Sequence, residues 1–171
     1  MQPHHIPPSK LSAGTHRRDA GFSVMETVMV MIIGITVTAF AVPIVSNVLS
    51  YYRLRSAVSS ATWAVQSVRF QALEKGYPFQ VAFSGGTGGV NPSYQISSEP
   101  IGATSFTSVG SSVPLSGAPV VLGSSITFQF KGNGLVSTSP VSTAPYTFTL
   151  SYSGTTETIT VSNYGNVDVT P

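Results

Sequence analysis

Beyond Gly21 the chain carries five acids (Glu26, Glu74, Glu99, Glu157 and Asp168) and neither histidine nor cysteine; His4, His5 and His16 all come earlier. Without imidazole or thiolate, that part of the chain builds neither an ordinary zinc site nor a histidine-based triad. The four acids after Glu26 are scattered and show no paired-carboxylate spacing. The chain therefore reads as a non-enzyme without a catalytic residue, resident metal or cofactor. A calcium site made of loop carbonyls with Glu99 or Asp168 stays compatible, because such a site needs no motif. "GGTGG" at 85–89 lacks the lysine and following helix of a phosphate loop and reads as a hairpin loop. Nucleic acid is not an expected partner. Arg53, Arg55 and Arg69 fall on a helical stretch, and the closing "NYGNVDVTP" has no base. Trp63 and Phe70, seven apart, are expected to pack in the domain or against a neighbouring helix rather than to bind a ligand. One acid is out of place. Glu26 heads a run of 26 residues, Thr27 to Tyr52, with no charge at all.

The elements around Glu26 set its context. Only 8% of the 171 residues are charged, against roughly 25% in an ordinary domain, and Gly, Ser, Thr and Val are abundant. That composition favours β structure with many turns. Lys10, Arg17 and Arg18 against Asp19 place the whole net charge of +2 in residues 1–21; the five bases and five acids that follow cancel. A basic pI thus says nothing about nucleic acid. Residues 1–21 read as a cytoplasmic leader. The uncharged run, as a helix, would be about 39 Å long, enough to cross a hydrocarbon core of roughly 30 Å. It exceeds a usual signal-peptide core, and no small-x-small cleavage site follows before Arg53. A retained single-pass anchor is the expectation, with Arg17 and Arg18 in the cytoplasm. Arg53 and Arg55 at the other end blur that asymmetry. The adjacent arginines also fit a twin-arginine signal, but an acid interrupts the apolar segment soon after them.

Helical periodicity continues past the anchor. Leu54, Val58, Ala61, Val65, Val68 and Ala72 recur at spacings of four and three, one apolar stripe on a helix that needs a covering partner. Gly76 and Pro78 suggest its stop. One helix is predicted from about Phe22 to Lys75, kinked or locally broken at Pro43. Period-two alternation follows at Phe79–Val81–Phe83, Ile126–Phe128–Phe130, Tyr146–Phe148–Leu150–Tyr152, Ile159–Val161 and Val167–Val169, which predicts antiparallel strands with one buried face. Residues 100–123, rich in Ser, Gly and Pro, read as short strands and a long loop. The expected fold class is α+β. A long N-terminal helix, its first half transmembrane, packs by its second half on an antiparallel β domain. The boundaries are 1–21 leader, 22–50 transmembrane half, 51–76 amphipathic half and 77–171 extracytoplasmic β domain.

"AG-FSVMETVMVMIIGI", with Gly21, an aromatic at Phe22, Glu26 and an apolar helix beyond, resembles the processing motif of type IV prepilins and type II secretion pseudopilins. Pro43 falls where pilin helices often carry a proline. Ser23, Val24 and Met25 replace the more usual Thr-Leu-Ile, and the leader is long for the family. "ITFQFKGNGLVS", "YTFTLSYS" and "TETITVSNYGNVDV" resemble, more loosely, the GspH/FimT group of minor pilins over residues 125–169. Asn166 stands where many of that group have an arginine, which weakens any transfer of a DNA-uptake role.

The resemblance implies a pilin-like fold and a maturation path. A prepilin peptidase would cut between Gly21 and Phe22 and N-methylate Phe22 with S-adenosylmethionine, chemistry that belongs to the processing enzyme. Implied partners are that peptidase, other major and minor pilins or pseudopilins, the inner-membrane assembly platform and membrane lipid. The implied localisation is the inner membrane, N-terminus cytoplasmic and β domain periplasmic, then the tip of a type IV pilus or secretion pseudopilus. Cleavage would create an amine on Phe22, one helical turn from Glu26. Glu26 would pair with that amine or with a neighbouring subunit's and so set axial register. Two other readings use the same anchor: a filament-borne module that binds DNA, a surface or a secreted substrate, and a signal-anchored periplasmic protein unrelated to filaments.

Overall fold

The computed structural model describes residues 23–85, 91–115 and 120–171. The chain divides into two compact units, Met1–Ala41 and Val42–Pro171. Of the first, the described part is the start of α1, the helix Val24–Lys75. The helix runs through Pro43 without a break, so of the two expectations for that proline the local break is not met. Proline still removes one rung of the ladder, the N–H that would reach the carbonyl of Ala39. At the far end Gly76 takes φ +71°, and its N–H donates to Ala72 O at 3.0 Å. A left-handed residue just past the last turn stops the helix, and glycine does so without a Cβ penalty.

The second unit is an α+β domain in which the ten strands among the described residues all pair antiparallel. β1 (Phe79–Ser84) lies between β2 (Ser93–Ser98) and β6 (Ile126–Phe130), and β7 (Val136–Ser139) continues the sheet beyond β6. Two short strands, β3 (Thr107–Ser108) and β4 (Val113–Pro114), both pair with β2. A second sheet has the order β10-β9-β8-β5, with β5 at Val121–Leu122, β8 at Tyr146–Tyr152, β9 at Thr155–Val161 and β10 at Val167–Thr170. β8 and β9 form a tight hairpin in which Tyr152 faces Thr155 across Ser153 and Gly154.

Side-chain period explains the layering. In β1 the buried residues are Phe79, Val81 and Phe83; in β6 they are Ile126, Phe128 and Phe130, register partners of the first three. β8 and β9 bury Tyr146, Phe148 and Leu150, and Ile159 and Val161, in the same alternation. Against these faces lies the stripe of α1: Leu54, Ala57, Val58, Ala61, Ala64, Val65, Val68 and Ala72 are all buried in one apolar core shared with both sheets. Four of the eight are alanines, which let a helix backbone approach a sheet closely. Aromatic contacts join the sheets: the Phe83 and Phe148 rings stack at 5.1 Å, and Phe128 meets Phe148 at 5.7 Å. Pairs of this kind contribute about 0.5–1.5 kcal/mol beyond their burial. The buried hydroxyl of Tyr146 donates to Val136 O at 3.1 Å, which satisfies a polar group that would otherwise destabilise the core.

Candidate functional site

The N-terminal part of α1 is the first candidate. From Val24 to Leu49 its large apolar side chains, Ile32, Ile33, Phe40 and Ile44 among them, are exposed rather than buried in a core. In water such a surface is unfavourable by about 25 cal/mol per Å². In hydrocarbon it is at home, and α1 is long and apolar enough to cross a membrane. Four of its hydroxyls are already satisfied for that medium. Thr27, Thr36, Thr38 and Ser50 each donate to the carbonyl four residues earlier, at 3.3, 2.8, 2.7 and 3.0 Å. A hydroxyl bonded within its own helix needs no water, as a lipid-facing segment requires. Glu26 lies exposed in the first helical turn, the end where the helix dipole favours negative charge. Gly21 and Phe22, the expected cleavage and methylation positions, lie outside the described residues, as do residues 86–89 of the expected "GGTGG" loop.

Two features of the β domain are built from α1 and the last strands. In the first, Arg55 Nε donates to the Tyr51 hydroxyl at 3.0 Å and stands 3.8 Å from Glu157 Oε1. The Tyr51 hydrogen bond and, behind it, the Glu157 charge raise the Arg55 pKa. Glu157 is only 5% exposed and sits on the core face of β9, opposite Leu150 of β8. Its Oε2 is buried without a hydrogen-bond partner. A cavity of about 230 Å³ adjoins the pair, with Thr155 and Val169 in its wall.

In the second, Arg69 crosses the turn after β9. Ser162 shapes this turn: its hydroxyl accepts from the N–H groups of Tyr164 and Asn166 at 3.3 and 3.0 Å. Gly165 is buried there with φ +74°, and Arg69 Nη1 donates to Asn166 Oδ1 at 3.3 Å. A cavity of about 550 Å³ opens between this turn and the helix, lined by Gln66, Phe70 and Leu73 on one side and Val167 on the other.

The aromatic expectation for Trp63 and Phe70 divides. Neither packs in the domain core; they are 61% and 67% exposed. Seven residues apart on α1, they share a helix face away from the buried stripe. Among the described residues no cluster of three His, Asp or Glu side chains is placed to hold a metal. Glu99 and Asp168 lie on different sheets' margins, after β2 and within β10.

The sequence singled out Glu26 and Pro43 and marked the buried helix stripe, but not the pairing of Arg69 with Asn166 or of Arg55 with Glu157, contacts that close over about a hundred residues of chain. The "NYGN" turn was the available local signal for the Arg69 cavity. No protein-family model, curated protein or solved structure matches the chain.

Proposed function

We propose that the chain is a structural subunit, a minor pilin or minor pseudopilin of the GspH/FimT kind, processed by a prepilin peptidase and assembled at or near a filament tip. The observation that carries this reading is the division of labour along α1. Its first part exposes apolar residues behind Glu26, while its second part buries one alanine-rich stripe on an antiparallel β domain. An anchor alone needs no acid at its head. A subunit that must leave the bilayer and stop at a fixed height in a bundle does.

On this reading Glu26 waits near the membrane interface, where a carboxylate costs less than the ~3 kcal/mol of the bilayer centre. Cleavage after Gly21 frees an amine on Phe22, and Glu26 then pairs with a neighbouring subunit's amine as the helices stack. In a low dielectric such a pair falls off steeply with misalignment, so it reports register. Lipid, the assembly platform and other pilins are the partners, and the β domain stays outside the inner membrane. The test is Glu26→Ala in cells that assemble the filament. Cleavage is expected to proceed and incorporation to fail; normal incorporation would contradict the role assigned to Glu26.

A further inference from the structure

Arg69 carries a charge that the domain does not neutralise. Its Nη1 reaches a neutral amide oxygen at 3.3 Å, the long end of the hydrogen-bond range. Its Nε is buried and has no hydrogen-bond partner. Among the described residues no carboxylate pairs with it: the ion pair there is Arg55 with Glu157, and the exposed Glu74 and Asp168 make no ion pair with Arg69. A guanidinium offers a planar fork of donors matched to a carboxylate, and leaving such donors unmet is unfavourable. The cavity of about 550 Å³ beside it supplies the space, with Phe70, Leu73 and Val167 as an apolar wall.

We propose that this cavity docks a polypeptide segment of a second protein, one that presents a carboxylate side chain to Arg69 and an adjacent apolar side chain to Phe70 and Leu73. Three observations select this occupant. Among the described residues Arg69 is the one base in the cavity wall, whereas a nucleic-acid backbone calls for several. A second exposed aromatic, Trp63, lies about two turns from Phe70 on the same helix face, a reach suited to a chain rather than a small molecule. An arginine in a cavity with an exposed Phe, and an exposed Trp farther along the helix, has the make-up of a protein–protein hot spot. The inference stands on the cavity and not on the filament reading.

Asn166 gives a built-in control. Asn166→Asp would put a carboxylate on Arg69 Nη1 from within the domain and so close the site to an outside acid.

The experiment follows the backbone amide signals of Phe70, Gly165 and Val167, which line the cavity, by NMR in the full chain, nitrogen-15-labelled and held in detergent micelles. The probes are the dipeptides acetyl-Phe-Glu-amide and acetyl-Phe-Gln-amide and a short oligothymidylate. The expected result is a saturable shift with the glutamate peptide and about tenfold weaker binding of the glutamine peptide. Asn166→Asp and Arg69→Gln should each weaken the glutamate peptide to the same degree while the remaining spectrum stays folded. Arg69→Lys, which keeps the charge and the fold but loses the fork, should fall between. Equal shifts with both peptides, no saturable shift with either, or preferential response to the oligothymidylate would overturn the proposal.

Discussion

A Cβ at Gly165 would stand 2.9 Å from Cδ of Arg69 and 2.7 Å from Cε1 of Phe130. The glycine is therefore what allows the arginine stem to lie across the turn and the core phenylalanine to close beneath it. Its φ of +74° makes the position doubly selective, for backbone and for space. Gly165→Ala is expected to destabilise the domain by about 1–3 kcal/mol, read as a lower denaturation midpoint of the full chain. An unchanged midpoint would mean that the turn relaxes freely.

Arg55 and Glu157 are unequal partners, because the carboxylate is buried and the guanidinium is largely in solvent. Removing the arginine leaves an unpaired buried charge, whereas replacing the acid by an apolar side chain removes the demand for a partner. Arg55→Met should lower the thermal midpoint by several degrees. Glu157→Leu should stay within about 1 kcal/mol of the parent, and the double variant should recover most of the loss. Additive losses in the double variant would show that the two residues do not act as a pair.

Phe128 is fully buried and touches Phe83, Tyr146 and Phe148, so it links both sheets. Phe128→Ala should cost about 3–5 kcal/mol, near the total stability of a small domain. Loss of the native near-UV circular dichroism of the full chain in detergent is the expected signature.

Trp63 and Phe70 should behave in the opposite way. Each exposes more than half its surface, so Trp63→Ser and Phe70→Ser are expected to change stability by less than about 0.5 kcal/mol. Assembly or partner binding, rather than folding, is where their loss should register. A large stability loss would place them in a core contact they do not make.

What was legible in the sequence follows from which signals are local. The helix stripe from Leu54 to Ala72 and the alternation of Phe79, Val81 and Phe83 are periodic, and periodicity reports a buried face directly. β2, "SYQISS", was not legible as a strand, because it buries Ser97 and Ser98 beside Tyr94 and so breaks the apolar alternation. β7, "VSTS", hides the same way: Thr138 is buried and pairs its hydroxyl with Ser142 at 3.0 Å. The cavity at Arg69 had only the "NYGN" turn as a local signal, since its walls come from α1 and from that turn almost a hundred residues later. Long-range contacts obey topology, and no local pattern encodes them.

The claim on which the account turns is that the chain is a processed filament subunit. The most direct measurement is intact-mass and N-terminal peptide mass spectrometry of the full chain isolated from the membranes of cells that hold a prepilin peptidase. The account predicts a chain beginning at Phe22 with one added methyl group on its amine. A chain that keeps residues 1–21, or one cut elsewhere, would contradict it.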